Sequence, residues 1–388
     1  MTQRKKQLSG GKETMKGKRY FGFAMITALA LAVSACGGAA TTGTTEPTET
    51  QGAAATGTTD AAETPAENER PYEGQKLVVG VWGGPHEEVI KKHIEGPLKE
   101  MGAEIELVLG GTGDRFARLY AEKGNPTMDI AFLNLYEARQ VIEDGVAQDV
   151  DPTIPNFAKL YPKAQEYGYG SSFMALGIAY NPEMVSKPIT QWSDLWTEEL
   201  KGKIAFPQFP GFEAESFLSV AGLAFGKTEK DYEDNFAKLE ELKPIPMSYF
   251  NVDELALEMT NGTVAAAPTF NYIANLLIQQ GAPIEFVYPE NPGPVMAKNT
   301  MVIAEGTKHE ALAKEFVNRF LDEAVLADLA AIGYYGPTNK EVVLDDELAS
   351  KVVYGEEAVD QLVKLDWLYI IEQRAQWTQM WNERILTE

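Results

Sequence analysis

The sequence predicts an α/β protein with more than one lobe, built on a parallel sheet. Three observations carry this. From about residue 75, apolar β-rich runs alternate with stretches of helical spacing. The first three helical stretches close on glycines, Gly102, Gly124 and Gly145. A chain of 388 residues with 44% hydrophobic and 10% aromatic content has material for more than one core.

The elements follow in order. "KLVVGVW" (76–82) is an apolar β-rich run. "PHEEVIKKHIEGPLKEMG" (85–102) has helical spacing, "AEIELVLG" (103–110) alternates, and "DRFARLYAEKG" (114–124) is helical again. "MDIAFLN" (128–134) has the run of a buried strand, and "LYEARQVIEDG" (135–145) is a short helix. The order βαβαβ implies parallel strands with helices on the faces of the sheet. Ligands of such sheets bind beyond the carboxyl ends of the strands. That singles out Trp82-Gly83-Gly84, Gly110-Gly111-Thr112-Gly113 and Asn134-Leu135-Tyr136.

The second half repeats the pattern. "MALGIAYNPEMV" (174–185) reads as a strand and turn, and "ITQWSDLWTEELKGKIAF" (189–206) as a helix followed by a strand. "GFEAESFLSVAGLAFG" (211–226) is a helix after a Pro/Gly turn, and residues 255–282 give helix, short strand and helix. "NTMVIAEG" (299–306) is a strand, residues 309–333 are one long helix or a pair, and the chain is mostly helical after Gly336.

The N-terminus reads as a targeting segment. Seven basic residues and one acidic residue precede Tyr20, and then "YFGFAMITALALAVSA" (20–35) runs without a charge. Positive region, apolar core and small residues are the order of a secretory signal, and the core is shorter than the roughly 20 residues of a membrane span. Residues 37–70 are rich in Thr, Ala, Gly and Glu without apolar periodicity, so a disordered tether is expected. Residues 1–35 hold seven of the 34 basic side chains and one of the 57 acidic ones. A chain cut before Cys36 therefore carries 27 and 56, a net charge of −29. That opposes nucleic acid and anionic membrane surfaces as direct partners.

Cofactors and metals have little to bind to. Cys36 is the single cysteine, which excludes an internal disulfide, and the three histidines are His86, His93 and His309. His86 and His93, seven apart, read as surface residues. No G-x-S-x-G elbow, H-E-x-x-H or P-loop occurs, and no carboxylate pair is marked among the acidic residues. A secreted hydrolase is the alternative from another class.

Two resemblances sharpen this reading. "VSAC" (33–36) resembles the lipobox of bacterial lipoproteins, with Val33 where leucine is commonest. The resemblance implies cleavage before Cys36 and acylation of its sulfur, anchoring the chain on the extracytoplasmic face of the membrane, with a Gram-positive surface favoured. "VVGVWGGP", "RLYAEKGNPTMDIAFLN", "LGIAYNPE", "WSDLWTEELKGKIAFP", "NTMVIAEGTKHEALAKEFVNRFL" and "GYYGPTN" resemble periplasmic-binding-protein-like type II solute-binding proteins of bacterial ABC importers, nearest the spermidine/putrescine branch. That family implies two α/β lobes joined by crossover strands near "MALGIAYN" and "MAKNTMVIA", with the ligand cleft between them. Lobe one is expected at 75–174 plus 296–388, lobe two at 175–295, after a signal peptide (1–35) and an anchored tether (36–74). A monomer that does no chemistry, captures a small cationic solute and delivers it to a membrane permease is the implied function.

The same resemblance suggests site residues. Trp82 matches an aromatic position, and Asn134 and Tyr136 follow the third strand. Glu215 falls on a ligand carboxylate. Phe212 stands where a second acidic residue is expected, with Glu213 beside it; either glutamate can equally serve the dipole of its helix. Phe270 stands near an expected tryptophan, beside Asn271 and Tyr272. Other ligands stay open. "GGTGDR" with Thr112 can hold a phosphonate, a carboxylate or a thiamine-like zwitterion, or simply cap a helix. Tyr334 and Tyr335 leave ferric iron as a third option.

Overall fold

A computed structural model describes residues 70–387. Cys36, the leader and most of the expected tether lie outside the described residues. The last tether positions are ordered: in a turn over 71–74 the Tyr72 and Gly74 amides donate to the carbonyls of Met101 and Gly102.

The first strands behave as their patterns predict. β1 (Lys76–Val81) buries Leu77, Val79 and Val81. It pairs in parallel with β2 (Glu104–Leu109) on one side and β3 (Ile130–Asn134) on the other. The helix expected over 85–102 is split into α1 (Pro85–His93) and α2 (Glu95–Glu100). Pro97 is the cause: it has no N–H to offer the carbonyl of His93, the last residue of α1. α3 (Thr112–Ala121) and α4 (Leu135–Glu143) follow β2 and β3.

Two long strands join the halves of the sheet. After the short α5 (Pro162–Gln165) comes β4 (Tyr169–Tyr180), buried along all 12 residues. It runs antiparallel to β9 (Val295–Ile303), likewise wholly buried, from Tyr169 opposite Met301 to Leu176 opposite Val295. β9 also pairs with β3, which ties it to the first half. The far end of β4 pairs with β7 (Ala266–Phe270) and β8 (Glu285–Val287). The order is β2-β1-β3-β9-β4-β7, with β8 on β4. Gly177 is required within β4: an added Cβ would lie 2.4 Å from the Val287 carbonyl oxygen.

A smaller layer packs beside this end of the sheet. β5 (Phe206–Pro207) and β6 (Ser248–Tyr249) form a parallel pair, joined to β7 through Ile204 and Ala266. The helix expected within 189–206 is only a 3-10 turn, Trp192–Trp196, which the Asp194 carboxylate closes on the amides of Thr190 and Gln191. α6 (Phe212–Leu223) is buried from Ala214 to Gly222, and α7 (Tyr232–Glu240) crosses it at Gly222. α8 (Val252–Thr260) and α9 (Asn271–Gln279) flank β7.

The C-terminal region is helical but broken: α10 (Glu310–Phe320), α11 (Glu323–Gly333), α12 (Asp346–Ala349), α13 (Glu356–Gln361) and α14 (Trp367–Met380), which ends in a π turn over Trp381–Ile385. The last of these departs from the expected lobe boundary. Residues 296–388 were expected in lobe one, yet Trp381 packs among Phe206, Phe209 and Phe236, and Arg384 pairs with Glu240 and Glu233. Apolar burial of the indole draws the chain end onto α6 and α7.

Candidate ligand-binding site

Strand ends and helix starts converge on one cavity of about 230 Å³. Trp82 follows β1, Asn134 ends β3, and Phe270 ends β7 with Tyr272 in the first turn of α9. Phe212 opens α6, Tyr335 follows α11, and Met174, Ala297, Lys298 and Asn299 come from the paired long strands. The volume is below that of a typical drug-sized pocket, which suits a small solute.

Aromatic rings form a continuous arc. Phe212 lies 5.4 Å from Phe270, Phe270 5.8 Å from Tyr272, and Tyr272 5.2 Å from Tyr335. His86 continues the arc, 4.8 Å from Tyr335 and 5.2 Å from Trp82. This corrects the expectation for His86. The residue is buried, and burial, reinforced by Arg115, pushes its imidazole down to about 3, so it is neutral. His93 is partly exposed, with Nε2 2.9 Å from an Asp328 carboxylate oxygen.

The indole of Trp82 is fixed from behind. Its Nε1 donates to Thr112 Oγ1 at 3.2 Å, and the Arg115 guanidinium lies 4.6 Å from the ring centroid. Arg115 itself donates to the carbonyls of Phe132 and Gly110. Thr112 thus orients the indole and is outside the cavity lining. Asn271 is also outside it. Its Oδ1 accepts from the Ala175 amide, and its Nδ2 donates to the carbonyls of Tyr334 and Lys351. Lys298 lines the cavity, but its Nζ is turned to the carbonyls of Lys163 and Glu166; burial pushes this amine down to about 7.

A buried carboxylate–guanidinium pair lies at one end, with a second buried carboxylate, Glu137, near it. Glu215 is fully buried and receives both Nε and Nη2 of Arg374, at 2.5 and 2.9 Å. Arg374 comes from α14 and lies 5.7 Å from the centre of the Tyr136 ring. Trp367, at the start of the same helix, is sandwiched between Tyr136 (5.4 Å) and Phe212 (4.4 Å). Tyr136 therefore faces Trp367 and Arg374 and does not line the cavity. Glu137, unmarked in the sequence reading, accepts from Asn134 Nδ2 at 3.3 Å, has its Oε2 buried without a partner, and is raised above the ordinary carboxylate range by burial. It was legible in principle, because residues three apart share a helix face and Asn134 was already marked.

Glu213 differs from the others. It is half-buried, its one hydrogen bond comes from Thr269 Oγ1 at 3.3 Å, and burial pushes its carboxyl up to about 7. Among the described residues no cation pairs with it. α4, α6 and α9 all begin at the cavity, and their N-cap residues Asn134, Gly211 and Phe270 give no side-chain cap. Among the described residues no group of three or more His, Cys, Asp or Glu side chains could hold a metal ion, and no helix is long and apolar enough to cross a membrane.

Comparison with known proteins places this geometry. A family described as "Bacterial extracellular solute-binding protein" matches residues 98–354. The chain belongs to this family of solute-binding proteins. A spermidine/putrescine-binding periplasmic protein of Escherichia coli is 26% identical over 221 residues, 54% of this chain and 63% of that protein. The crystal structure of an ABC transporter protein from Clostridium perfringens is 30% identical, with a TM-score of 0.71, covering 80% of this chain and 99% of that one. A spermidine/putrescine ABC transporter substrate-binding protein from Streptococcus pneumoniae, crystallised with calcium and HEPES, shares the fold at 21% identity and a TM-score of 0.65, covering 79% of this chain and 99% of that one. The fold is thus the two-lobed α/β fold of these binding proteins, and family and fold are those of non-enzymatic substrate-binding proteins.

The buried pair in this solute-binding protein has a measurable consequence. Burial already holds the Glu215 carboxyl above its ordinary value, and Arg374 opposes that shift. Arg374→Met is expected to cost about 3 kcal/mol at pH 7, because it strands a buried carboxylate. The sign follows from the shift: without Arg374 the folded carboxyl rises further above the unfolded one, so the penalty is present above the unfolded pKa and fades below about pH 4. Urea denaturation of both proteins at pH 7 and pH 4 measures it; an equal loss at both pH values contradicts it.

Proposed function

We propose that this protein captures a small cationic solute, of the polyamine or a related amine class, on the outer side of the cytoplasmic membrane, and delivers it to the permease of an ABC importer. Glu213 carries this reading. It is a desolvated carboxylate next to the wall residue Phe212, itself outside the cavity lining, with no cation from the described residues of its own chain. An ammonium there gains a counter-charge and ring faces together. Trp82, Phe270 and Tyr272 then pack the carbon chain, while Asn134 and Asn299 offer polar contacts. The protein does no chemistry on its solute. The lobes close on it, and the closed form is what the permease recognises.

The leader and the "VSAC" motif support a lipid anchor on Cys36, which holds a monomer at the cell surface. A second reading has its own observation. Three helix starts without side-chain caps present amides at the cavity, which suits an anionic group on the solute.

Calorimetry with putrescine, spermidine and butylamine separates these readings. At least one amine is expected to bind. Trp82→Ala should weaken it about tenfold, and Glu213→Gln about tenfold or more. Binding of an aminophosphonate with no heat from any amine would favour the anionic reading. For the anchor, Cys36→Ala is expected to shift the protein from the membrane fraction to the medium; an unchanged membrane fraction contradicts acylation at this residue.

A further inference from the structure

The charges around the cavity nearly cancel. Arg115 and Arg374 are cations, and Lys298, lining the cavity with its amine held near 7 and turned to the carbonyls of Lys163 and Glu166, is a partial one; Glu137, Glu213 and Glu215 are the facing carboxylates, and His86 is neutral. Glu215 is paired outright with Arg374. Glu137 pairs with neither guanidinium, though its charge raises Arg115 and Arg374 lowers it. Glu213 alone feels neither. Glu213 is the carboxylate that neither guanidinium partners, and its charge is partial, because burial holds it near 7.

The pairing of Glu215 shows how the balance is set. A desolvated carboxylate and an aromatic face are the two elements that recognise a cation. Both come just after a cavity-wall residue in sequence: Glu215 is three residues after Phe212, and Tyr136 two residues after Asn134. The place between them is filled by the chain itself. Arg374 supplies the cation, and Trp367, seven residues earlier on the same face of α14, closes the gap between Phe212 and Tyr136.

We propose that Arg374 is a resident cation in a second cation subsite, and that the solute therefore carries a single ammonium group. This rests on the amine reading above and narrows it. A second ammonium along a four-carbon chain finds Glu215 already neutralised and meets the guanidinium instead. α14 thereby sets selectivity between monoamines and polyamines from outside the strand-end positions that line the cavity.

The test compares butylamine with putrescine, which differ by one ammonium, and adds spermidine. Calorimetry at fixed ionic strength is expected to show the native protein binding butylamine at least about tenfold tighter than putrescine or spermidine. Arg374→Ala should free Glu215 and raise putrescine affinity relative to butylamine at least about tenfold; Arg374→Lys should keep the native order. Tighter native binding of putrescine or spermidine than of butylamine overturns the proposal and leaves the amine reading standing. The native comparison decides even if Arg374→Ala does not fold. If no amine binds, the amine reading itself fails, and this proposal with it.

Discussion

The antiparallel ladder between β4 and β9 is the constraint on which the rest of the molecule depends. Both strands are buried from end to end, and each belongs to both halves of the sheet. β9 holds β3, and through it β1 and β2; the far end of β4 holds β7 and β8. The carboxyl ends of β1, β3 and β7 consequently face one region, and Met174 and Ala297 to Asn299 line it from the ladder itself. Such an arrangement makes a cleft wherever the two halves meet, and what it binds is left to the side chains at its rim.

Those side chains divide the labour between shape and charge. The arc from Phe212 to Trp82 is apolar and flat-faced, so it recognises a carbon chain or a cation without choosing between them. Charge makes the choice. Each buried carboxylate must find a partner or give up its charge. Glu215 finds Arg374. Glu137 shares Arg115 and Arg374 at a distance. Glu213 has only a threonine hydroxyl, and burial holds its carboxyl near neutrality.

The strand-end residues were readable from the sequence because period and turn chemistry fix them locally. Trp82 and Asn134 line the cavity, as do Phe270 and Tyr272, which the family resemblance singled out. Glu215, expected from the family resemblance to be a ligand carboxylate, is instead buried and paired with Arg374. That pairing was not readable, since Arg374 lies 159 residues away and nothing in the local pattern links them. Phe212, read as a missing carboxylate, is an aromatic wall of the cavity. His86 was expected at the surface because no cysteine lies near it to complete a metal site. Its packing against Trp82, Phe320 and Tyr335 is tertiary. The split at Pro97 was visible as a proline, whereas the return of the last helix onto α6 and α7 depends on Trp381 finding a distant aromatic cluster.

The central claim is that Glu213 receives the solute's ammonium, and proton release measures it most directly. A carboxyl held near 7 is mostly protonated at pH 6.5, and an arriving ammonium stabilises the ionised form, so binding must expel a proton. Calorimetry of butylamine binding at pH 6.5, in buffers of low and high ionisation enthalpy, is predicted to report release of up to roughly 0.7 proton per amine. Glu213→Gln should reduce it to what the Lys298 amine, also held near 7, contributes, and native affinity should rise with pH from about 6 to 8. Binding heat that does not depend on the buffer, or net proton uptake, would contradict the account.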